Sequence, residues 1–173
     1  KDSILLTARL FGGEKPIGKS LHLRTVYHKG IGKKITYAPG GRYYQHKEVY
    51  KGGGDAGLLD GLRGGKSYMD GRWQGFCPND LDAIIDLGEV TAIHRVMANF
   101  MQIRTPQVFL PAKVEVWASV DGKEFTLLGS DICSEEEAGK DVIFRDFGWI
   151  GTPTETRYVR FHAIQGKKQF LFT

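Results

Sequence analysis

Short apolar runs of period two, cut off by glycine-centred turns, dominate this chain, and no segment sustains three turns of helical periodicity. Successive side chains of an extended strand point to opposite faces, so a half-buried strand reads as strict alternation. Leu21, Leu23 and Thr25 alternate with His22, Arg24 and Val26; Val114, Val116 and Ala118 share one face, as do Val159, Phe161 and Ala163. The separators are turn-formers: 23 glycines, many clustered as at Gly40-Gly41 and Gly52-Gly53-Gly54, and an Asp121-Gly122 pair of the hairpin type. The pattern predicts strands over Ile4–Phe11, Ser20–His28, Ala83–Leu87, Ile93–Met101, Lys113–Ser119, Glu124–Gly129, Val142–Phe147 and Tyr158–Ile164. From Lys29 to about Gly71, periodicity fades into a loop region rich in Gly, Tyr, Lys and Asp. Many short strands with frequent turns and no intervening helices point to an all-β sandwich and away from a parallel βαβ architecture.

Length and charge narrow the classes further. At 173 residues, 41% of them apolar, the chain is long enough for one core that needs no disulfide staple. The net charge of +4 is scattered: Lys33-Lys34 and Lys167-Lys168 are short pairs, set against Glu135-Glu136-Glu137. No basic run and no zinc-finger or RNA-binding signature accompanies it, which argues against a nucleic-acid partner. Cys77 and Cys133 are too far apart for a CxxC site and are either two thiols or one bridge. No apolar run approaches the roughly 18 residues of a membrane span. The opening Lys1-Asp2 is what a piece of a longer protein would show, with any export signal upstream.

Several motifs then fall in a distinctive order: Leu58-Leu59-Asp60-Gly61, Asp70-Gly71-Arg72-Trp73-Gln74-Gly75-Phe76, Ala83-Ile84-Ile85-Asp86-Leu87-Gly88, Phe109-Leu110-Pro111, Val114 to Val116 and Ser119-Val120-Asp121-Gly122. From about Lys33 to Phe172 the series resembles the factor V/VIII type C (discoidin) domain, in the form found as carbohydrate-binding module family 32 of bacterial glycosidases. That resemblance implies a galactose-binding-like jelly-roll sandwich. Thr7-Ala8-Arg9-Leu10-Phe11, a glycine turn and Pro16-Ile17-Gly18-Lys19 more loosely resemble the small β domain behind the catalytic barrel of family 20 chitobiases and β-hexosaminidases. The expected division is therefore residues 1–30 as the last strands of a preceding β domain and 31–173 as the discoidin-type domain. The parent would be a secreted or periplasmic β-N-acetylhexosaminidase, and the upstream catalytic domain a partner of this one.

The residues themselves offer no catalytic constellation. Glycoside hydrolysis needs two carboxylates about 5–10 Å apart across one bond, and no such pair stands out. Asp80 and Asp82 read as caps of the loop before a strand, the five histidines lack metal spacing, and GxSxG, P-loop and GxGxxG contexts are absent. Sugar binding asks for less: an aromatic plane for the apolar face of a pyranose and planar polar groups for its hydroxyls. Arg42-Tyr43-Tyr44-Gln45-His46 and Gln102-Ile103-Arg104-Thr105-Pro106-Gln107 carry those types in loops where the family binds ligand. Tyr43, Tyr44, His46, Gln102, Arg104 and Gln107 are the candidate sugar contacts, with galactose- or N-acetylhexosamine-containing glycans as partners. Val108 stands where relatives often carry tryptophan, which removes one stacking platform. Trp73 reads as a structural plug beneath the Asp60-Gly61 turn, and Asp86 as the acceptor closing a strand.

The resemblance also implies a structural calcium, held by the Asp-Gly carboxylate, nearby carbonyls, a threonine and a late glutamate. Asp60 matches; Gly71 replaces the threonine and offers only its carbonyl, and the glutamate would fall beyond Thr173, so the expected calcium site, Asp60 with Gly71, is weakened. The function expected is a non-catalytic sugar-binding module. The alternative is a structural or docking sandwich that packs on its catalytic domain without binding sugar.

Overall fold

The computed structural model describes residues 3–44, 47–166 and 170–173. Its strands are β1 (Ser3–Gly12), β2 (Lys15–Val26), β3 (Lys34–Tyr37), β4 (Gly75–Phe76), β5 (Leu81–Ile103), β6 (Lys113–Ser119), β7 (Thr126–Ile132), β8 (Val142–Ile164) and β9 (Leu171–Phe172), with one short helix, α1 (Glu135–Gly139). β1 and β2 form a two-stranded antiparallel hairpin, with Gly13 at φ 64° in its turn. The remaining strands form a seven-stranded sheet in the order β4-β9-β5-β8-β6-β7, with β3 on β5.

That sheet closes on itself through its two longest strands. β5 and β8 each run for 23 residues and pair antiparallel along their length, with register shifts between Asp86 and Thr91 and between Ile93 and Arg95. Bulges bend strands and increase their twist, so one ribbon can serve two layers. The early part of β5 pairs with β3 and the late part of β8, which also carries β6; the late part of β5 pairs with the early part of β8 and meets β9 at Met101. The result is an all-β antiparallel sandwich. Alternation along the strands therefore predicts four separate strands where there are two bent ones, because a bulge interrupts period two without ending the ladder.

The core lies between the layers. Phe100, buried completely, stands edge-on to Phe147 at 5.6 Å and stacks on Phe161 at 6.3 Å, surrounded by Phe76, Leu81, Val114, Val116 and Leu171. A second cluster gathers Tyr50, Trp73, Met101, Val108 and Phe172 at one end. Trp73 is buried and its indole N–H donates to the Gly65 carbonyl at 3.1 Å. A Cβ on Gly64 would lie 2.0 Å from that indole, so only glycine lets the loop close over it. Asp86 accepts from the Gly88 amide at 2.8 Å as expected, but within β5 at its register shift and not at a strand end; Asp121 accepts from the amides of Lys123 and Glu124 in the turn between β6 and β7.

Other local expectations change. β3 lies inside the segment read as loop, and β7 begins two residues later than Glu124. The acidic triplet Glu135–Glu137 starts α1: the Ser134 hydroxyl accepts from the Glu137 amide at 3.2 Å while the Glu137 carboxylate accepts from the Ser134 amide at 3.0 Å. Asp82 sits within β5 and forms a two-pronged ion pair with Arg160, at 2.8 and 2.6 Å, rather than capping a loop; Asp80 accepts from the Gln165 amide at 2.8 Å. Cys77 and Cys133 are unbonded thiols. No helix among the described residues is long and apolar enough to cross a membrane.

Candidate functional site

The first candidate loop leaves a tightly pinned turn. The Gly41 amide donates to the Ala38 carbonyl at 2.8 Å, and the Asp82 amide donates to the Gly41 carbonyl at 3.1 Å. The chain then alternates in direction. Tyr43 turns inward, 5% exposed; its hydroxyl donates to the Asp55 carboxylate at 2.6 Å and its ring meets Tyr37 and Phe76 edge-on. Tyr44 turns outward and is 36% exposed, its amide fixed to the Gly75 carbonyl at 2.7 Å. Its ring packs at 6.3 Å from Tyr50 and edge-on to Phe170 at 6.4 Å. His46 lies outside the described residues.

Burial divides the second loop in the same way. Gln102 is 1% exposed; its amide donates to carbonyls at the end of α1, those of Glu137 and Ala138 at 3.3 Å and that of Lys140, while its own carbonyl accepts from the Leu110 amide at 3.4 Å. Beyond it the chain turns over: the Gln107 amide donates to the Arg104 carbonyl at 2.7 Å, and Gln107 takes a left-handed φ of 74°. Arg104 and Gln107 are both exposed. One Arg104 guanidinium nitrogen donates to the Gly139 carbonyl at 3.2 Å, which holds the side chain against the end of α1. Tyr43 and Gln102, predicted as sugar contacts, thus face inward and order their loops, whereas Tyr44, Arg104 and Gln107 face solvent.

Phe170 joins the two loops. Its carbonyl accepts from the Phe109 amide at 3.0 Å and it bridges to Val108, while its ring stands 5.5 Å from Tyr50 and 5.9 Å from Phe172. Val108, buried, pairs with Ile103 across the Arg104–Gln107 turn. The aromatic surface is therefore built from Tyr44 and Phe170, with Tyr68 partly open beside Tyr50 and Phe172. The sequence reading missed Phe170 and Tyr68; the only signal was the alternation of Phe170 and Phe172 near the end.

Electrostatics reinforce the division. The Tyr43 hydroxyl and then the Arg42 guanidinium, both hydrogen-bonded to Asp55, hold its carboxyl below the usual range. Burial, followed by the neighbouring Tyr43 and Asp55, pushes the Tyr37 phenol well above its ordinary value.

The two residues expected to hold calcium lie in separately ordered turns. Asp60 accepts from the Leu62 amide at 2.7 Å, and burial raises its carboxyl above the ordinary value. Gly71 belongs to another turn, ordered by Asp70, whose carboxylate accepts from the amides of Gly65 and Arg72; nothing lies within 4 Å of where a Gly71 Cβ would sit. No group of three or more His, Cys, Asp or Glu side chains that could hold a metal occurs among the described residues. Calcium takes roughly six to eight oxygens, so a site at Asp60 would have to draw most of its shell from backbone carbonyls.

No protein-family model and no curated protein matches the chain. Among solved structures, it is similar to chitosan-binding module 1 of a chitosanase/glucanase from Paenibacillus sp. IK-5, with a TM-score of 0.53 at 14% identity over 86% of this chain and 99% of that one. It is also similar to part of a family 29 fucosidase of Ruminococcus gnavus solved with fucose: TM-score 0.51 and 12% identity, covering 82% of this chain and 24% of the fucosidase. At these identities the likeness establishes the fold.

Proposed function

We propose that this chain is a non-catalytic carbohydrate-binding module that takes sugar at the loop end carrying Tyr44, Phe170, Arg104 and Gln107. The observation that carries the reading is the exposed Tyr44 ring, with the half-buried Phe170 edge-on to it and bridged to Val108 at the end of an exposed turn that presents a guanidinium and a carboxamide. A pyranose laid on such a surface places its hydroxyls toward planar donors and acceptors. His46 follows Tyr44 by two positions and belongs to the same proposal. The likeness to a module named for chitosan binding, over nearly its whole length, supports the reading. The finer assignment is to a secreted or periplasmic β-N-acetylhexosaminidase that the module keeps near galactose- or N-acetylhexosamine-containing glycans; it rests on the resemblance of Thr7–Lys19 and raises effective concentration without altering chemistry.

One observation favours the docking alternative. Ile4, Leu5, Leu6, Leu10, Phe11, Ile17 and Leu21 of the β1–β2 hairpin are all at least half exposed, a surface suited to packing on a preceding β domain of the same polypeptide. A calorimetric titration with galactose, N-acetylgalactosamine and N-acetylglucosamine, alone and in oligosaccharides, separates the readings. Saturable binding that weakens in Tyr44→Ala supports the module reading; no heat with any sugar leaves the docking reading.

A further inference from the structure

A second concavity, of mixed polar and apolar lining, lies along the open edge of β3. It is a shallow depression open to solvent, about 470 Å3 in volume, lined by Ile35–Ala38, Gly40, Arg42 and Asp55. Three features of its wall are chemically specific. Arg42 and Asp55 are ion-paired with their side chains 41% and 64% exposed, so the pair is at the surface of the cavity rather than sealed beneath it. The guanidinium lies over the rings of Tyr37 and Tyr43, 5.8 and 5.4 Å from their centroids, and the carboxylate is fixed from behind by the Tyr43 hydroxyl. Both planar groups are therefore positioned before any ligand arrives, which lowers the cost of ordering them on binding.

The third feature is backbone. The Ala38 amide donates to the Asp82 carbonyl, and β3 pairs in register with β5, Thr36 opposite Ile84. In an antiparallel ladder only alternate residues bond to a given neighbour. That parity turns the backbone polar groups of Ile35 and Tyr37 away from β5, toward the open edge. Gly40, with φ 78°, adds no side chain to the rim, where the nearest atoms to a Cβ would be those of Asn79 at 3.8 Å.

We infer that this cavity is a second saccharide site, selective for a neutral pyranose presenting vicinal hydroxyls. The charge of Arg42 is matched by Asp55, so the wall offers donors and an acceptor side by side with no net attraction for an anion; adjacent hydroxyls, each both donor and acceptor, complement that arrangement. Ile35, Tyr37 and Ala38 contribute apolar atoms to the same lining, toward which the carbon face would turn. The inference rests on the carbohydrate reading above only for the class of ligand; the residues are different.

The test is an amide chemical-shift titration of the whole chain with galactose, N-acetylgalactosamine and N-acetylglucosamine, alongside Asp55→Asn, Arg104→Ala and a short extended peptide of alternating Val and Thr. The expected result is saturable movement of the Ile35–Ala38 and Gly40 amides with at least one sugar, weakened about tenfold or more in Asp55→Asn, as loss of a charged hydrogen bond implies, and unchanged in Arg104→Ala. Asp55 is exposed, and an unchanged spectrum outside the cavity verifies that the variant folds. Movement confined to the Tyr44 and Gln107 region would overturn the second site and leave the module reading intact. No sugar response anywhere would overturn both. Cavity shifts with the peptide but not with sugars would make the β3 edge a strand-addition site and likewise overturn the inference.

Discussion

The β1–β2 hairpin and the β5–β8 ribbon are both long antiparallel pairs rich in apolar side chains, yet they end in opposite environments. Phe100 and Phe147 of the ribbon are buried completely, whereas Phe11 and Leu10 of the hairpin are 56% and 67% exposed. The ribbon bends at its register shifts and folds one half against the other; the hairpin also has a register shift, between Ala8 and Leu10, but among the described residues it has two strands and no second layer. An isolated two-stranded hairpin is at best marginally stable in water, so its order here depends on its own ladder and on anchoring where the Val26 amide donates to the Gly61 carbonyl at 2.9 Å. The comparison shows that alternation specifies strand and face, while burial depends on whether the chain supplies a partner for that face.

Substitutions can break this comparison, beginning in the ribbon and its adjoining cluster. Trp73→Ala or Phe100→Ala is expected to lower stability by about 3–5 kcal/mol, measured by denaturant unfolding, because each leaves a cavity in a packed interior. Retention of the wild-type midpoint by Trp73→Ala, with loss of sugar binding, would show instead that the indole is a contact. Gln102→Ala is a smaller perturbation: it strands the α1 carbonyls and the Leu110 amide, for an expected loss of about 1–3 kcal/mol. Sugar affinity at 25 °C should persist in the folded fraction, since Gln102 is buried; a selective loss of affinity at unchanged stability would restore it as a contact.

Acid resolves a third contribution. The Arg157 guanidinium, bonded at 2.9 and 3.0 Å, and the Gly88 amide lower the Asp86 carboxyl from 3.8 to about 2. A depressed carboxyl binds more protons when unfolded, so its stabilisation is present above pH 4 and is lost as pH falls toward 2. Asp86→Asn should flatten the stability profile in that window and leave its shape above pH 5 unchanged; an identical acid limb would rule the pair out as a contributor. At the other extreme, Phe11→Ala is expected to change stability by no more than about 0.5 kcal/mol. A loss comparable to that of Phe100→Ala would mean the hairpin face is covered in solution.

The same comparison explains what was legible. The all-β class, the burial of Trp73 and the amide-accepting roles of Asp86 and Asp121 follow from local chemistry: periodicity, side-chain volume and short side chains that accept from amides two residues on; that Trp73 lies under Gly64 and Gly65 instead of the Asp60-Gly61 turn, and Asp86 inside β5, depends on the tertiary path. The bends of β5 and β8 were hidden because a bulge and a strand end look alike in one dimension. At the site, residue type nominated both loops, but Tyr43 and Tyr44 are chemically the same and only the direction in which the chain leaves the Ala38–Gly41 turn decides which faces solvent. Gln102 and Arg104 differ likewise: both reach carbonyls at the end of α1, and only Arg104 does so from the surface. Phe170 could not have been assigned without the pairing that brings it beside Val108.

Sugar binding at the Tyr44–Arg104 end is tested most directly by calorimetric titration of the wild type, Tyr44→Ala and Arg104→Ala with the sugar the wild type binds best, each checked for its melting temperature. Arg104→Ala removes a charged donor, and the expected loss is about ten- to hundredfold in affinity with stability within about 0.5 kcal/mol of wild type. Tyr44→Ala should weaken binding through loss of the ring surface. Unchanged affinity in both variants would contradict this site even if the chain binds glycans elsewhere.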